Sequence, residues 1–201
     1  MTPFTTLHAI AAPIDISNCD TDQIIPARFL TEPRTQENLR RSLFHDIRFH
    51  DDGSETDFVL NRTPYRGAKI LVADHNWGCG SSREEAATVL VASGIRVVIA
   101  PSIGEIHFNN CRQNGVLPAI ATAADCERLR AALHQSPGME LIVDLDEQLI
   151  TGPGNQSCRF EIDALSKYRL RQGLDDISQT ERHGAQVTAF KKRYQADNDW
   201  L

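Results

Sequence analysis

Closely spaced cysteine pairs are missing from this chain of 201 residues, which has five cysteines and no C-x-x-C motif. An odd number of cysteines at irregular spacing argues against a disulfide framework. It also argues against a self-contained zinc or iron–sulfur site, because such sites need closely spaced ligands. We therefore expect this chain to bind no metal alone, so that another chain would supply any metal the chemistry needs. The cysteines are Cys19, Cys79, Cys111, Cys126 and Cys158.

The chain also lacks a basic cluster, a long apolar run and an apolar leader at its N-terminus. It has 21 basic and 27 acidic residues, which give a formal net charge of −6. This composition argues against nucleic acid as the main partner. The most apolar window, residues 89–100, is interrupted by Ser93, Gly94 and Arg96, so no membrane span is predicted. We expect a cytoplasmic protein with no membrane partner.

Two short apolar runs rich in valine and isoleucine, residues 67–74 and 95–100, predict strands buried on both faces. Between them, residues 84–93 predict a helix that ends at Gly94. A strand, a helix and a second strand of this kind form a βαβ unit with parallel strands. The predicted fold class is therefore α/β. The length favours one domain, residues 1–201.

The remaining pattern adds helices and antiparallel strands around this unit. Pro118 favours an edge position for the strand predicted at residues 116–120. Residues 31–66 are mostly polar and lack a strong period, so we expect an elaborated surface segment, with an amphipathic helix over residues 37–44. Further strands are predicted at residues 140–145, 148–151 and 157–162, and further helices at residues 103–114, 123–135, 164–172 and 181–194.

The most informative stretch is residues 78–84, Gly-Cys-Gly-Ser-Ser-Arg-Glu, which joins the first buried strand to the helix. Its glycines let successive N–H groups converge, and a helix beginning near Ser82 would point its positive end at the same place. Ser81 and Ser82 add hydroxyls, and Arg83 adds a guanidinium that can hold a carboxylate with two hydrogen bonds. The turn therefore predicts an anion site. The alternative is that Ser81 or Ser82 only caps the helix.

Two other segments carry candidate groups. Asp20 and Asp22 follow a strand predicted over residues 4–16 and suit a hard cation, a proton or an arginine, unless they form a solvated turn. His107 follows another buried strand, at the end of the sheet where ligands bind in such folds. A lone histidine is nevertheless more often packed or exposed than catalytic. Neither segment identifies a reaction alone.

Several long motifs occur along the chain in a fixed order. They are residues 18–26 (NCDTDQIIP), 78–84 (GCGSSRE), 94–102 (GIRVVIAPS), 109–110 (NN), 114–118 (NGVLP), 160–163 (FEID) and 173–177 (GLDDI). Together they closely resemble the small subunit of 3-isopropylmalate dehydratase, a family of the aconitase superfamily. The resemblance covers most of the chain.

The resemblance implies a swivelling β/β/α domain of the aconitase C-terminal type, with a mixed sheet around the central βαβ unit. It implies a large partner subunit that carries a [4Fe–4S] cluster, and no cluster on this chain. The implied reaction interconverts 2- and 3-isopropylmalate by dehydration and rehydration in leucine biosynthesis.

The resemblance also assigns roles to residues of the site. Ser81 matches the serine that acts as the proton-transferring base, and Asp22 matches an acidic residue at the edge of the site. Arg34 lies in a segment that helps to choose the substrate side chain in relatives. The residues expected to bind the dicarboxylate substrate are Gly80, Ser82, Arg83, Asp22 and Arg34. A serine base needs a site closed from water, so we expect the chain alone to be inactive.

One position departs from the family pattern, which has a histidine after Ser-Arg-Glu where this chain has Glu85. A second carboxylate beside the site of a dianionic substrate leaves the identity of that substrate open. A related dehydratase acting on another 2-hydroxy diacid, methylmalate or homoaconitate, is one alternative. A non-catalytic module that binds an anion in the same turn is another.

Overall fold

A seven-stranded mixed sheet organises the computed structural model, which describes residues 1–198. The strands are β1 (Thr6–Ile14), β2 (Ile70–Ala73), β3 (Val97–Ala100), β4 (Leu117–Ile120), β5 (Glu140–Asp144), β6 (Leu149–Thr151) and β7 (Ser157–Arg159). The α-helices of the described residues are α1 (Thr21–Ile24), α2 (Gln36–Ser42), α3 (His45–Arg48), α4 (Glu85–Ala92), α5 (Glu105–Asn114), α6 (Ala123–Gln135), α7 (Ala164–Gln172), α8 (Asp176–Glu181) and α9 (Gly184–Asp197).

The sheet has a parallel part and an antiparallel part that meet at β1. The strand order is β4-β3-β2-β1-β5-β6-β7, and β1 to β4 run parallel, with Ala12 opposite Leu71 and Val98 opposite Pro118. The strands β5, β6 and β7 continue the sheet as an antiparallel meander. β4 lies at an edge, as Pro118 predicted. The mixed sheet around a βαβ unit confirms the predicted fold class.

Alternate residues of the central strands point to opposite faces of the sheet, and each face has its own apolar core. On one face, Leu71 and Val98 pack in a cluster that includes residues of α4. On the other face, Ile70 and Val72 pack in a cluster that includes residues of α6 and the meander. Because both faces are covered, β2 and β3 are continuous apolar runs rather than alternating ones.

Residues 31–66 are not only the surface elaboration that their polar sequence predicted. Leu43 and Phe44 are buried in the first core, where the Phe44 ring lies 5.9 Å from the Trp77 ring. The side chains that this segment buries against the first core are few and irregularly spaced, so they produce no periodic pattern in the sequence. The helix predicted over residues 37–44 ends earlier, because Phe44 turns the chain with a φ of 52°.

The C-terminal helices include one correction. α6 and α7 have the predicted bounds, and the side chains of Thr122 and Asp163 cap them. The helix predicted over residues 181–194 corresponds to α9, which starts three residues later at Gly184, and the unpredicted helix α8 precedes it and ends at Glu181. No helix of residues 1–198 combines the length and apolar character needed to cross a membrane.

Candidate active site

The loops that follow β1 and β2 are joined by backbone hydrogen bonds at the carboxyl ends of these parallel strands. The Gly78 N–H donates to the Cys19 carbonyl at 2.7 Å, and the Thr21 N–H donates to the Cys79 carbonyl at 2.9 Å. The turn after β2 is bonded in the same way to the loop after β3. Ligands of open α/β sheets bind at this edge, so the turn of residues 78–83 lies where a site is expected.

Two glycines and a threonine give this turn its shape. Gly78 has a φ of 67° and packs so closely that a Cβ there would lie 2.2 Å from the His107 ring. Gly80 has a φ of 90°, which also favours glycine. The Thr21 hydroxyl donates to the Ser81 carbonyl at 2.9 Å. The backbone is therefore held in place by the protein and needs no ligand to define it.

Ser81 and Ser82 are exposed, and they do not cap the helix that follows. α4 begins at Glu85 rather than near Ser82, and its N-cap residue, Glu84, makes no capping hydrogen bond with its side chain. Within the described part of the chain, neither serine hydroxyl forms a hydrogen bond. The capping interpretation of the turn is therefore wrong, and both hydroxyls remain available to another molecule.

Arg83 is held by Asp22, which comes from the loop after β1. The Arg83 Nη1 and Nη2 atoms donate to the two Asp22 carboxylate oxygens at 2.5 and 3.0 Å, and Nη1 also donates to the Ile25 carbonyl at 3.2 Å. The Arg83 side chain is 13% exposed and that of Asp22 is 58% exposed. The hydrogen bond from Arg83 lowers the pKa of Asp22 below its ordinary value. The Nε–H and the second Nη2–H have no partner in residues 1–198, which leaves one edge of the guanidinium for another carboxylate.

Glu85, the residue that departs from the family pattern, forms an ion pair with Arg34. The Glu85 side chain is only 20% exposed. Arg34 lies just before Thr35, the N-cap residue of α2. Gln36 and Arg40 of α2 donate to the Ala92 carbonyl at the other end of α4. α2 therefore follows α4 along its length. The carboxylate of Glu85 does not face the site unpaired.

A buried polar cluster lies directly under the turn. His107 is 1% exposed, and its Nε2 accepts a hydrogen bond of 3.2 Å from the Trp77 indole N–H. The Cys111 sulfur lies 3.3 Å from the same nitrogen. Burial lowers the pKa of His107 to about 4, so its ring is neutral at physiological pH. His107 is thus a packed residue that supports the turn from below.

The side chains of residues 1–198 do not fit an iron–sulfur cluster. Over residues 1–198, no three His, Cys, Asp or Glu side chains form a group that could hold a metal ion. Asp20 caps α1, and Asp22 is engaged by the arginine. Burial raises the pKa of Cys19 to about 12, and the other buried cysteines are shifted in the same direction. A thiol that stays protonated is a poor metal ligand.

Comparisons with known proteins identify the family. The family model described as the aconitase C-terminal domain matches residues 1–123, and one described as LeuD_N matches residues 127–164. The 3-isopropylmalate dehydratase small subunit of Nitrobacter winogradskyi is 46% identical over 202 residues and is matched over 100% of both chains. That of Gluconobacter oxydans is 48% identical over 195 residues, 96% of this chain and 93% of its own. The chain belongs to the family of 3-isopropylmalate dehydratase small subunits.

A solved structure from this small-subunit family has the same fold. The crystal structure of 3-isopropylmalate dehydratase from Methanocaldococcus jannaschii gives a TM-score of 0.68 at 25% sequence identity. The match covers 92% of this chain and 99% of the other. The resemblance inferred from the motifs is confirmed. Family membership also agrees with the missing cluster ligands, because in aconitase-type dehydratases of two subunits the cluster belongs to the large one.

The structure brings the predicted site residues together, and it adds two supporting residues that were not predicted. Thr21 bonds the Ser81 carbonyl, and Trp77 bonds His107 under the turn. Thr21 lies in the motif of residues 18–26, in which only the carboxylates of Asp20 and Asp22 were predicted to take part in a site. Trp77 is a large apolar residue directly before Gly78, and its position in the sequence indicates that the turn packs on a buried side chain.

Replacing Gly78 by alanine should destabilise the fold, because the new methyl group would meet the His107 ring at a left-handed backbone position. We expect the free energy of unfolding to fall by about 2–5 kcal/mol from overpacking and backbone strain together. Urea unfolding measures this loss. Gly94→Ala is the control, because Gly94 has a φ of 86° but no atom within 4 Å of the added Cβ. It should lose only about 1–2 kcal/mol, and equal losses in the two variants would contradict the packing argument.

The buried neutral histidine predicts a pH dependence of stability. Between pH 6.5 and about 4, the unfolded chain binds a proton on His107 that the folded chain does not, so stability falls as the pH falls. We expect a loss of about 2 kcal/mol from this residue between about pH 7 and about pH 5. His107→Gln keeps an acceptor but does not titrate, so its loss over this range should be smaller by that amount in urea unfolding. The exposed His183→Gln should behave like the native chain, and an unchanged pH dependence in His107→Gln would refute the assignment.

Proposed function

We propose that the chain is the small subunit of a hydro-lyase that interconverts 2- and 3-isopropylmalate in leucine biosynthesis. Relatives matched along their full length carry the name of that enzyme. The observation that carries the catalytic part is the exposed Ser81 hydroxyl on a rigid turn, beside an arginine with one open edge. We assign the [4Fe–4S] cluster to a large partner subunit, and we expect the complex to be cytoplasmic.

The proposed role of Ser81 is to move one proton. Dehydration of isopropylmalate removes a proton from one carbon and hydroxide from its neighbour, and rehydration returns both with their positions exchanged. In its alkoxide form, the Ser81 oxygen takes the proton from carbon and becomes a hydroxyl, which gives the proton back on rehydration. The departing hydroxide needs an acceptor outside this chain, which belongs to the large subunit.

Ser81 lacks the support that it would need to ionise in the isolated chain. A hydroxyl with tyrosine's pKa of ~10 would already need about 4 kcal/mol to ionise at neutral pH, and serine is a weaker acid. α4 starts only at Glu85, and the carboxylate of Glu84, which has no cationic partner among residues 1–198, places negative charge at its positive end. Arg83 is neutralised by its ion pair. A docked partner that excludes water must therefore strengthen the pull of the backbone N–H groups on the alkoxide.

The open edge of Arg83 supports its proposed role as the substrate clamp. Its Nε–H and second Nη2–H point in the same direction and match the two oxygens of a carboxylate. Asp22 holds the opposite edge, so it orients the guanidinium while the substrate is bound. The N–H of Gly80 and the hydroxyl of Ser82 belong to the same exposed turn and complete the proposed carboxylate site.

The pair of Arg34 with Glu85 supports isopropylmalate over a substrate with a third carboxylate, such as homoaconitate. An unpaired Arg34 would attract a charged substrate side chain, whereas an unpaired Glu85 would repel the carboxylates common to all candidates. Because the two groups neutralise each other, the pair adds no net charge to this side of the site. A neutral alkyl side chain suits such a surface better than a carboxylate.

Ser81→Ala should abolish most of the activity of the complex reconstituted with the large subunit, because it removes the proton acceptor. We expect kcat to fall by about 10²–10⁴-fold with little change in KM. A steady-state assay of isopropylmalate isomerisation measures both constants. The unmodified small subunit alone should show no turnover.

Ser157→Ala is the control for this substitution, because Ser157 is an exposed serine on β7, far along the sheet from the turn. It should leave kcat unchanged. The proposal is refuted if the Ser81→Ala complex keeps nearly full kcat, or if the purified native chain turns over substrate without a partner.

Glu85→Gln should shift specificity towards a substrate with an additional carboxylate, because it releases Arg34 from neutralisation. We expect the ratio of kcat/KM for homoaconitate to that for isopropylmalate to rise about tenfold, the worth of one charged hydrogen bond. Glu84→Gln is the matched control, since Glu84 is exposed and, within residues 1–198, its carboxylate accepts a hydrogen bond only from the Asn114 side chain, at 3.4 Å. If both variants change the ratio equally, net charge rather than the ion pair sets specificity.

A further inference from the structure

A cavity of about 360 Å³ lies beside the C-terminal end of α4, where Ser93 lines it. Three arginines line the same cavity, Arg40, Arg48 and Arg66, and no acidic side chain is among its lining residues. The buried side chains of Leu43, Leu60 and Ile95 make up its apolar floor. The cavity therefore combines apolar lining residues with three positively charged ones.

One of the three guanidinium groups has a carboxylate partner among residues 1–198. Arg66 forms an ion pair with Glu55. Arg40 donates through Nε to the Ala92 carbonyl at 2.8 Å, and Arg48 donates to an asparagine side chain and to main-chain carbonyls. These acceptors are neutral, so they fix the two guanidinium groups without cancelling their charge. The cavity keeps two uncompensated positive charges.

Burying the Arg48 guanidinium has a free-energy cost that its neutral hydrogen-bond acceptors and the nearby Glu55 offset only in part. Burial lowers the pKa of Arg48; the nearby Glu55 opposes this shift, and the neighbouring Arg66 adds to it to a lesser extent. The Nη groups of Arg40 and the Nη2 of Arg48 donate to no described residue, and the buried hydroxyl oxygen of Ser93 has no partner either. Unpaired polar groups and like charges in a partly closed cavity favour an incoming anion.

Capping of helix ends explains only part of this arrangement. Arg40 binds a carbonyl at the end of α4, and Arg48 binds carbonyls at the end of α2, where positive charge is favourable. One cation at each helix end would be enough for that purpose. Capping does not account for the free donors of Arg40 and Arg48, nor for the position of Arg66, which pairs with Glu55, beside them.

We propose that this cavity binds a small oxyanion with two negative charges, a phosphate or a dicarboxylate, between Arg40, Arg48 and Arg66. Guanidinium groups recognise both classes through paired hydrogen bonds. The volume of the cavity is at the lower end of the range for small-molecule sites, which suits a ligand of this size. The cavity shares no lining residue with the Ser81 turn, so the two sites can be tested separately.

Titration calorimetry of the full-length chain tests the proposal, with inorganic phosphate and succinate as probes at an ionic strength held constant with chloride. We expect saturable binding of at least one probe at a single site. Arg40→Gln and Arg66→Gln should each weaken that binding about tenfold, because each removes charged hydrogen bonds to the anion. Circular dichroism will show whether either variant fails to fold. If one does, the affinity of the other still tests the proposal. The ratio of the two affinities distinguishes a phosphate site from a carboxylate site.

Two controls locate the binding. Arg62→Gln removes the same charge from an exposed arginine that pairs with Asp57 and does not line the cavity, so affinity should not change. Arg83→Gln disables the proposed substrate clamp and should also leave affinity unchanged. The proposal is overturned if neither probe binds, if the cavity variants weaken binding no more than Arg62→Gln, or if Arg83→Gln abolishes the binding.

Discussion

The contact between the Gly78 backbone and the His107 ring is the constraint on which the candidate site depends. Because Gly78 has no side chain, the backbone can pass close to His107 of α5 after β2 and then turn back towards α4. A Cβ at this position would collide with the His107 ring. This close passage brings the turn within reach of the loop after β1, and backbone hydrogen bonds then join the two. The proton acceptor that we propose at Ser81 is held in position by this framework before substrate arrives, which matters because small displacements of reacting groups cost much rate.

Charge pairing at the site follows from the same meeting of loops. Asp22 reaches Arg83 because the loop after β1 is bonded to the turn, and Arg34 reaches Glu85 because α2 follows α4. In each pair the two charges cancel, so neither pair adds net charge beside the exposed Ser81 hydroxyl. Such a surface binds and ionises little in water, and its groups gain strength when a second protein excludes the solvent. The dependence on a partner thus has an electrostatic reason.

The sequence patterns were most accurate where structure depends on neighbouring residues. The bounds of α6 and α7 agreed with prediction because the caps of these helices, Thr122 and Asp163, are adjacent in sequence. The helix predicted over residues 84–93 agreed with α4 to within one residue. The start near Ser82 assumed for the anion site was too early, because the hydrogen bonds of the preceding turn go to the loop after β1 rather than into the helix. The cover provided by residues 31–66 was underestimated because its buried side chains, such as Leu43, follow no period.

Periodicity and long motifs were thus sufficient to predict the strands, the α/β class, the family resemblance and the set of candidate groups, because each of these depends on short stretches of the chain. They did not predict which of those groups form ion pairs with each other. Asp22 and Arg83 are 61 residues apart, and Arg34 and Glu85 are 51 apart. No local pattern can tell which distant charge a side chain will meet, because that depends on how the loops come together at the end of the folded sheet.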